Sequence, residues 1–138
     1  MKKASLKTIA EKMKSLDFCM MVTQDGHHGY HSRPMSNNRE VEFDGTSWFF
    51  SYDDSPKVSQ ITNDSKVSLI YQGEDMLFID CYGSASIIRQ KSMIEEKWIK
   101  GLERWFPEGP ETPNICLIKV EVKRVQFWHK EEEGSYSK

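Results

Sequence analysis

The sequence predicts a mainly β protein: six antiparallel strands forming a small barrel, with helices flanking its open sides. Three observations carry this. Six short apolar or alternating runs are spread along the 138 residues, a spacing suited to short strands. The Asp-Gly dipeptides at Asp25-Gly26 and Asp44-Gly45 supply hairpin-turn chemistry between neighbouring runs. Consecutive strands joined by tight turns argue for an antiparallel sheet, and the three helical segments cover its open sides.

Taken in order, Leu6, Ile9, Ala10, Met13 and Leu16 follow the three-four spacing of one helical face, with Lys7, Glu11, Lys12 and Lys14 around it. This predicts an N-terminal helix within residues 1–17, and Ser5 is its candidate N-cap. Phe18 to Thr23 is the first strand and Tyr30 to Met35 the returning one. Pro34 inside the latter marks an edge, a bulge or the strand's end. Val41-Glu42-Phe43 leads into the second Asp-Gly turn, and Trp48 to Tyr52 leads away from it.

Ser55 as N-cap with Pro56 at the first helical position predicts a second helix, with Val58 and Ile61 inward and an end near Asn63-Asp64. Val67 to Tyr71 is a strand. Leu77 to Ile88 is a long one, and Gly83 within it predicts a bulge or a close backbone approach. Ser92-Met93-Ile94-Glu95 has the form of a capping box and predicts a third helix to about Lys100, near Gly101. Pro107, Gly109, Pro110 and Pro113 make an irregular loop. From Cys116 to Val122 the pattern alternates, with Leu117, Lys119 and Glu121 outward. Residues 130–138 carry no apolar period and read as a loose tail. No repeat and no Gly/Ser/Pro linker divides the chain, so residues 1–138 are expected to form one domain.

Composition excludes several classes. A net charge of −2 is not the basic footprint of a nucleic-acid binder. No apolar run approaches the ~20 residues that span a bilayer, and the amphipathic N-terminus lacks a signal-peptide core. Cys19, Cys81 and Cys116 are far apart and form no CxxC, which suits core-filling thiols in a reducing cytoplasm. His27, His28 and His31 cluster at the first hairpin, but adjacent strand residues point apart, so no metal site is expected. The sequence contains no nucleophile elbow, phosphate-binding P-loop or dinucleotide glycine fingerprint. It singles out no catalytic acid or base.

The sharpest local signal is Ser55-Pro56-Lys57 at a helix N-terminus, where free N–H groups and the helix dipole favour an anion. Arg33, near the end of an earlier strand, can add a bidentate fork to the same phosphate. The same residues also describe an ordinary capped helix with one solvated lysine, and taken alone they favour that simpler reading. Aromatic residues are 12% of the chain and gather beside polar loops at Trp48-Phe49-Phe50, Trp105-Phe106 and Phe127-Trp128. A small β core needs such fillers, so only their positions can argue for a flat ligand.

Five segments in order resemble the flavin-binding split barrels related to pyridoxamine phosphate oxidase, and especially their bacterial general stress protein branch. They are His31-Ser32-Arg33-Pro34-Met35, Asp44 to Ser51, Asp54-Ser55-Pro56-Lys57-Val58, Tyr82-Gly83-Ser84-Ala85 and Trp105 to Gly109. The resemblance implies a six-stranded split barrel that forms a homodimer with FMN at the subunit interface. It maps the phosphate site onto Arg33 and Lys57 with Ser51 and Ser55 nearby. It maps flavin and ribityl contacts onto Pro34, Met35, Ser36, Phe50 and Phe78, with Trp105 near the ring and Trp128 supplied by the other subunit. The phosphate site coincides with the anion site read from helix physics, and together the two lines outweigh the solvated-lysine reading.

Two departures from the oxidase pattern argue against pyridoxamine phosphate as substrate. Asn38 stands where the oxidase has a substrate-phosphate lysine, and Phe127-Trp128 is followed by His129-Lys130-Glu131 instead of an Arg-x-His motif. The function expected is therefore that of an FMN-dependent oxidoreductase acting on an unidentified small molecule. The alternative is a non-catalytic flavin-binding or redox-sensing stress protein.

Overall fold

A computed structural model describes residues 1–37 and 42–138. Helix α1 (Leu6–Met13) starts where predicted: the Ser5 hydroxyl accepts a hydrogen bond from Thr8 N–H at 3.1 Å, and Ile9, Ala10 and Met13 turn inward. Ahead of it lies a two-residue strand, β1 (Lys2–Lys3), so residues 1–17 are not helix throughout. The hairpin strands β2 (Phe18–Gln24) and β3 (Tyr30–Ser36) pair antiparallel, Met20 opposite Pro34. Their connection is a short 3-10 turn at Gly26–His28, closed by Asp25 N–H to the Gly29 carbonyl at 2.7 Å. It is longer than the two-residue turn that Asp-Gly suggests.

Glu42 and Phe43 are irregular rather than strand, although Phe43 is buried; Val41 and Asn38 lie outside the described residues. Strand β4 (Thr46–Tyr52) precedes α2 (Pro56–Asn63), β5 (Lys66–Gln72) and β6 (Leu77–Ile88). Helix α3 (Lys91–Lys97) has Gln90, not Ser92, as its N-cap and is shorter than the capping-box pattern predicts. The last predicted strand runs on past Val122. It forms β7 (Ile115–His129), which absorbs Phe127 and Trp128.

The expected loose tail is instead strand β8 (Glu132–Ser137), antiparallel to β7 and joined by β1 on its far side. Charged residues at Glu132 and Glu133 hide this strand from a hydrophobic pattern. They are exposed, while Gly134 is buried against the Phe127 ring. All six predicted strands are present, and β1 and β8 bring the sheet to eight, in the order β1-β8-β7-β6-β5-β2-β3 with β4 on β7. β7 divides its length: residues 115–121 pair with β4 and 124–129 with β8. Among the described residues neither β3 nor β4 has a second strand partner, so the sheet stays open as a split barrel.

Gly83 meets both of its expectations. Register shifts between Tyr82 and Gly83, so that Lys123 is skipped in the pairing with β6, and an added Cβ would run into the Glu121 carbonyl. The main core gathers α1 with the inward residues of β2, β5, β6 and β7, including Met21, Leu69, Tyr71, Ile79 and Val120. Leu117, expected outward, is fully buried. Its cross-strand neighbour Phe50 packs against Trp98 and Phe106, with ring centroids 5.2 and 6.3 Å apart, so the loop after α3 forms a second apolar layer there.

Candidate functional site: a cavity in the split

The unpaired edges of β3 and β4 face a cavity of about 760 Å³. Consecutive residues of both strands line it, Pro34-Met35-Ser36 on one side and Thr46 to Tyr52 on the other. A strand shows successive side chains to one space only along an open edge, so the split is the cavity. Its outer wall comes from the loop after α3, including Trp98, Trp105 and Phe106. The Tyr52 hydroxyl ties this loop down by donating to the Trp105 carbonyl at 3.0 Å. The volume lies within the range of small-molecule and cofactor sites, roughly 300–1,000 Å³.

At one end stands Lys57, in the first turn of α2. Its ammonium donates to the hydroxyls of Ser51 (3.1 Å) and Ser55 (3.2 Å), which are 3.1 Å from each other. Ser55 occupies the N-cap position, yet its hydroxyl makes no capping hydrogen bond to the helix. It is turned to Lys57 instead. Among the described residues no carboxylate pairs with Lys57 or Arg33. Burial pushes the Lys57 pKa below its usual value, and the Arg33 charge pushes it further; the nearby Cys116 thiol opposes this weakly. Burial also lowers the Arg33 pKa, against a contrary pull from Asp25. Two half-buried cations that repel one another, ringed by hydroxyls, form a site complementary to an anion.

Arg33 is held by partners other than Lys57's serines. Its Nη1 donates to Thr23 Oγ1 (2.8 Å) and the Met21 carbonyl (3.3 Å), and its Nη2 donates to Gln60 Oε1 (2.8 Å). Sequence reasoning missed Thr23 and Gln60. A signal existed: both are polar residues at inward positions, Thr23 in step with Cys19 and Met21, Gln60 beside Val58 and Ile61.

Of the residues marked in the sequence, Pro34, Met35, Ser36, Phe50, Ser51, Lys57 and Trp105 line this one cavity. Arg33 and Ser55 do not line it: Ser55 is hydrogen-bonded to Lys57, and Arg33 lies near enough for its charge to lower the Lys57 pKa. Phe78 and Trp128 do not line it; they oppose each other across β6 and β7 on the outer face of the sheet. That face mixes apolar and polar residues: Gln72, Phe78, Trp128 and Glu133 follow one another across the strands, and Pro34, Met20, Ile70, Asp80 and Gln126 form the next row. Phe18, Met20, Ile70 and Trp128 are 53, 40, 44 and 38% exposed. Phe18, Pro34 and Ser36 belong both to this face and to the cavity wall.

The three cysteines are free and buried. Burial raises Cys19 to about 12 and Cys116 to about 11 and pushes Cys81 higher still, so all three are neutral thiols. Among the described residues no group of three His, Cys, Asp or Glu side chains could hold a metal ion, and no helix is long and apolar enough to cross a membrane.

Fold and cavity together define a split-barrel protein whose open split holds an aromatic-walled cavity lined in part by Ser51 and Lys57. The chain belongs to the family described as pyridoxamine 5'-phosphate oxidase like, whose profile matches residues 4–137. No curated protein matches it in sequence. Among solved structures it is similar to a Clostridium acetobutylicum protein related to general stress protein 26 of Bacillus subtilis. The identity is 16%, with a TM-score of 0.82, over 96% of this chain and 93% of that one. General stress protein 26 from Bacillus anthracis is 22% identical with a TM-score of 0.75, over 93% and 95% of the two chains. A general stress FMN/FAD binding protein from Xanthomonas citri is 24% identical with a TM-score of 0.76, over 92% and 89%.

Proposed function

We propose that this chain is a general stress protein-like flavoprotein that binds FMN in the split and acts as an oxidoreductase on a small molecule other than pyridoxamine phosphate. The observation that carries this reading is the cradle at Lys57: an ammonium on two hydroxyls that, among the described residues, pairs with no carboxylate, with Arg33 close enough to lower its pKa, in an aromatic-walled cavity. A phosphate fits the cradle, and a flat ring fits between Phe50, Trp105 and the β3 edge. Bound FMN would supply the redox chemistry, while the protein supplies orientation, charge and exclusion of water.

The reading includes a homodimer. The face with exposed Phe18, Met20, Ile70 and Trp128 shares Phe18, Pro34 and Ser36 with the cavity wall, so a second copy seated there would close the flavin site and bring its own Trp128 to the boundary. Three unbridged thiols suit a cytoplasmic protein.

The absorption spectrum of freshly purified protein tests the cofactor, and steady-state NAD(P)H oxidation against free FMN tests turnover. A flavin spectrum with oxidation above the free-FMN rate supports an oxidoreductase. A flavin spectrum without turnover supports a binding or sensing protein. A haem-type or deazaflavin spectrum overturns the cofactor assignment.

A further inference from the structure

We propose that Gln60 is the positioning residue that aims Arg33 through a neutral contact, and that it thereby sets the protein's preference for a phosphorylated flavin. The inference rests on the phosphate site proposed above. Gln60 is 8% exposed and lies one helical turn after Lys57, so α2 carries both the cradle's ammonium and the acceptor that orients its arginine. Its Oε1 accepts from Arg33 Nη2 at 2.8 Å and from the Thr23 hydroxyl at 2.6 Å. Thr23 Oγ1 in turn accepts from Arg33 Nη1 at 2.8 Å.

Both neighbours of Oε1 are donors, which fixes the orientation of the amide. Its Nε2 then faces His31 Nδ1 at 3.1 Å, completing a chain from the β2–β3 hairpin to the cradle. One end of the guanidinium is thus locked on neutral acceptors. Among the described residues nothing accepts from Nε–H or the second Nη2–H, the side-on pair suited to bidentate phosphate contact.

The neutrality of residue 60 matters as much as its shape. A carboxylate in the same place would accept the same hydrogen bonds and also cancel the Arg33 charge internally. The amide holds the cation without cancelling it, so the charge remains for a ligand.

Gln60→Glu is nearly isosteric and tests this directly. The readout is the ratio of riboflavin to FMN dissociation constants, together with the melting temperature of the flavin-free protein. The variant is expected to lower the ratio roughly 10- to 100-fold, the worth of a charged hydrogen bond, with riboflavin affinity unchanged. Its flavin-free melting temperature should rise, because a new ion pair forms. A merely structural role would lower stability and affinity for both ligands together. Gln60→Met, which removes the acceptor without adding charge, should lower the ratio less. A wild-type preference for FMN that survives unchanged in both variants overturns the inference and leaves the phosphate site standing. A wild type with no FMN preference overturns the phosphate site and the inference with it.

Discussion

Replacing Lys57 by alanine perturbs the cradle at its centre. The ammonium is half-buried, bonded among the described residues only to the hydroxyls of Ser51 and Ser55, and repelled by Arg33. In the flavin-free protein it is therefore an unfavourable charge, and its removal should leave the melting temperature unchanged or raise it. With FMN bound, the same ammonium makes a charge-assisted hydrogen bond to phosphate, worth about 1.5–3 kcal/mol. Lys57→Ala should accordingly weaken FMN binding roughly 10- to 100-fold. Riboflavin, which lacks the phosphate, should bind the variant nearly as it binds the wild type. Flavin fluorescence titration of both ligands against both proteins measures the four constants. Equal losses for FMN and riboflavin would refute the phosphate assignment. A large loss of flavin-free stability would refute the claim that Lys57 is an uncompensated cation.

Trp128→Ala should weaken both dimerisation and FMN binding even though Arg33 and Lys57 remain, since linked equilibria move together; sedimentation of wild type and variant, with and without FMN, reads both, and a monomeric wild type that binds FMN tightly would contradict the linkage. Gly83→Ala forces a methyl group into the Glu121 carbonyl and should cost about 1–3 kcal/mol in urea unfolding, whereas a neutral effect would argue against the close β6–β7 approach. Because burial holds Cys19 near 12 and Cys116 near 11 and Cys81 higher, the folded protein at pH 8 should resist thiol alkylation by iodoacetamide and label fully only when unfolded.

Much of the fold was legible because its strands alternate and its turns carry glycine. What escaped was set by pairing across the sheet. The segment after His129 reads as a charged tail, yet β7 offers it an edge and the Phe127 ring covers Gly134, so it becomes β8. Leu117 alternates outward in sequence but is buried, because a loop some fifteen residues earlier folds over it; only the tertiary fold brings Trp98 and Phe106 there. The cradle was legible in Ser55-Pro56-Lys57, since helix N-termini have intrinsic anion physics. Ser55's release from its capping duty was not, and neither was the grip of Thr23 and Gln60 on Arg33. Those contacts join β2, β3 and α2, and each residue alone looks like an ordinary polar filler.

The central claim is that the split holds a phosphorylated flavin by its phosphate, and phosphorus NMR observes that group directly. As the flavin-free protein is added to FMN, the free phosphate resonance should give way to a shifted, broadened one that saturates at one FMN per chain, and Lys57→Ala should restore the free signal at the same concentrations. A phosphate resonance that stays at its free position while the flavin ring is bound would contradict the account.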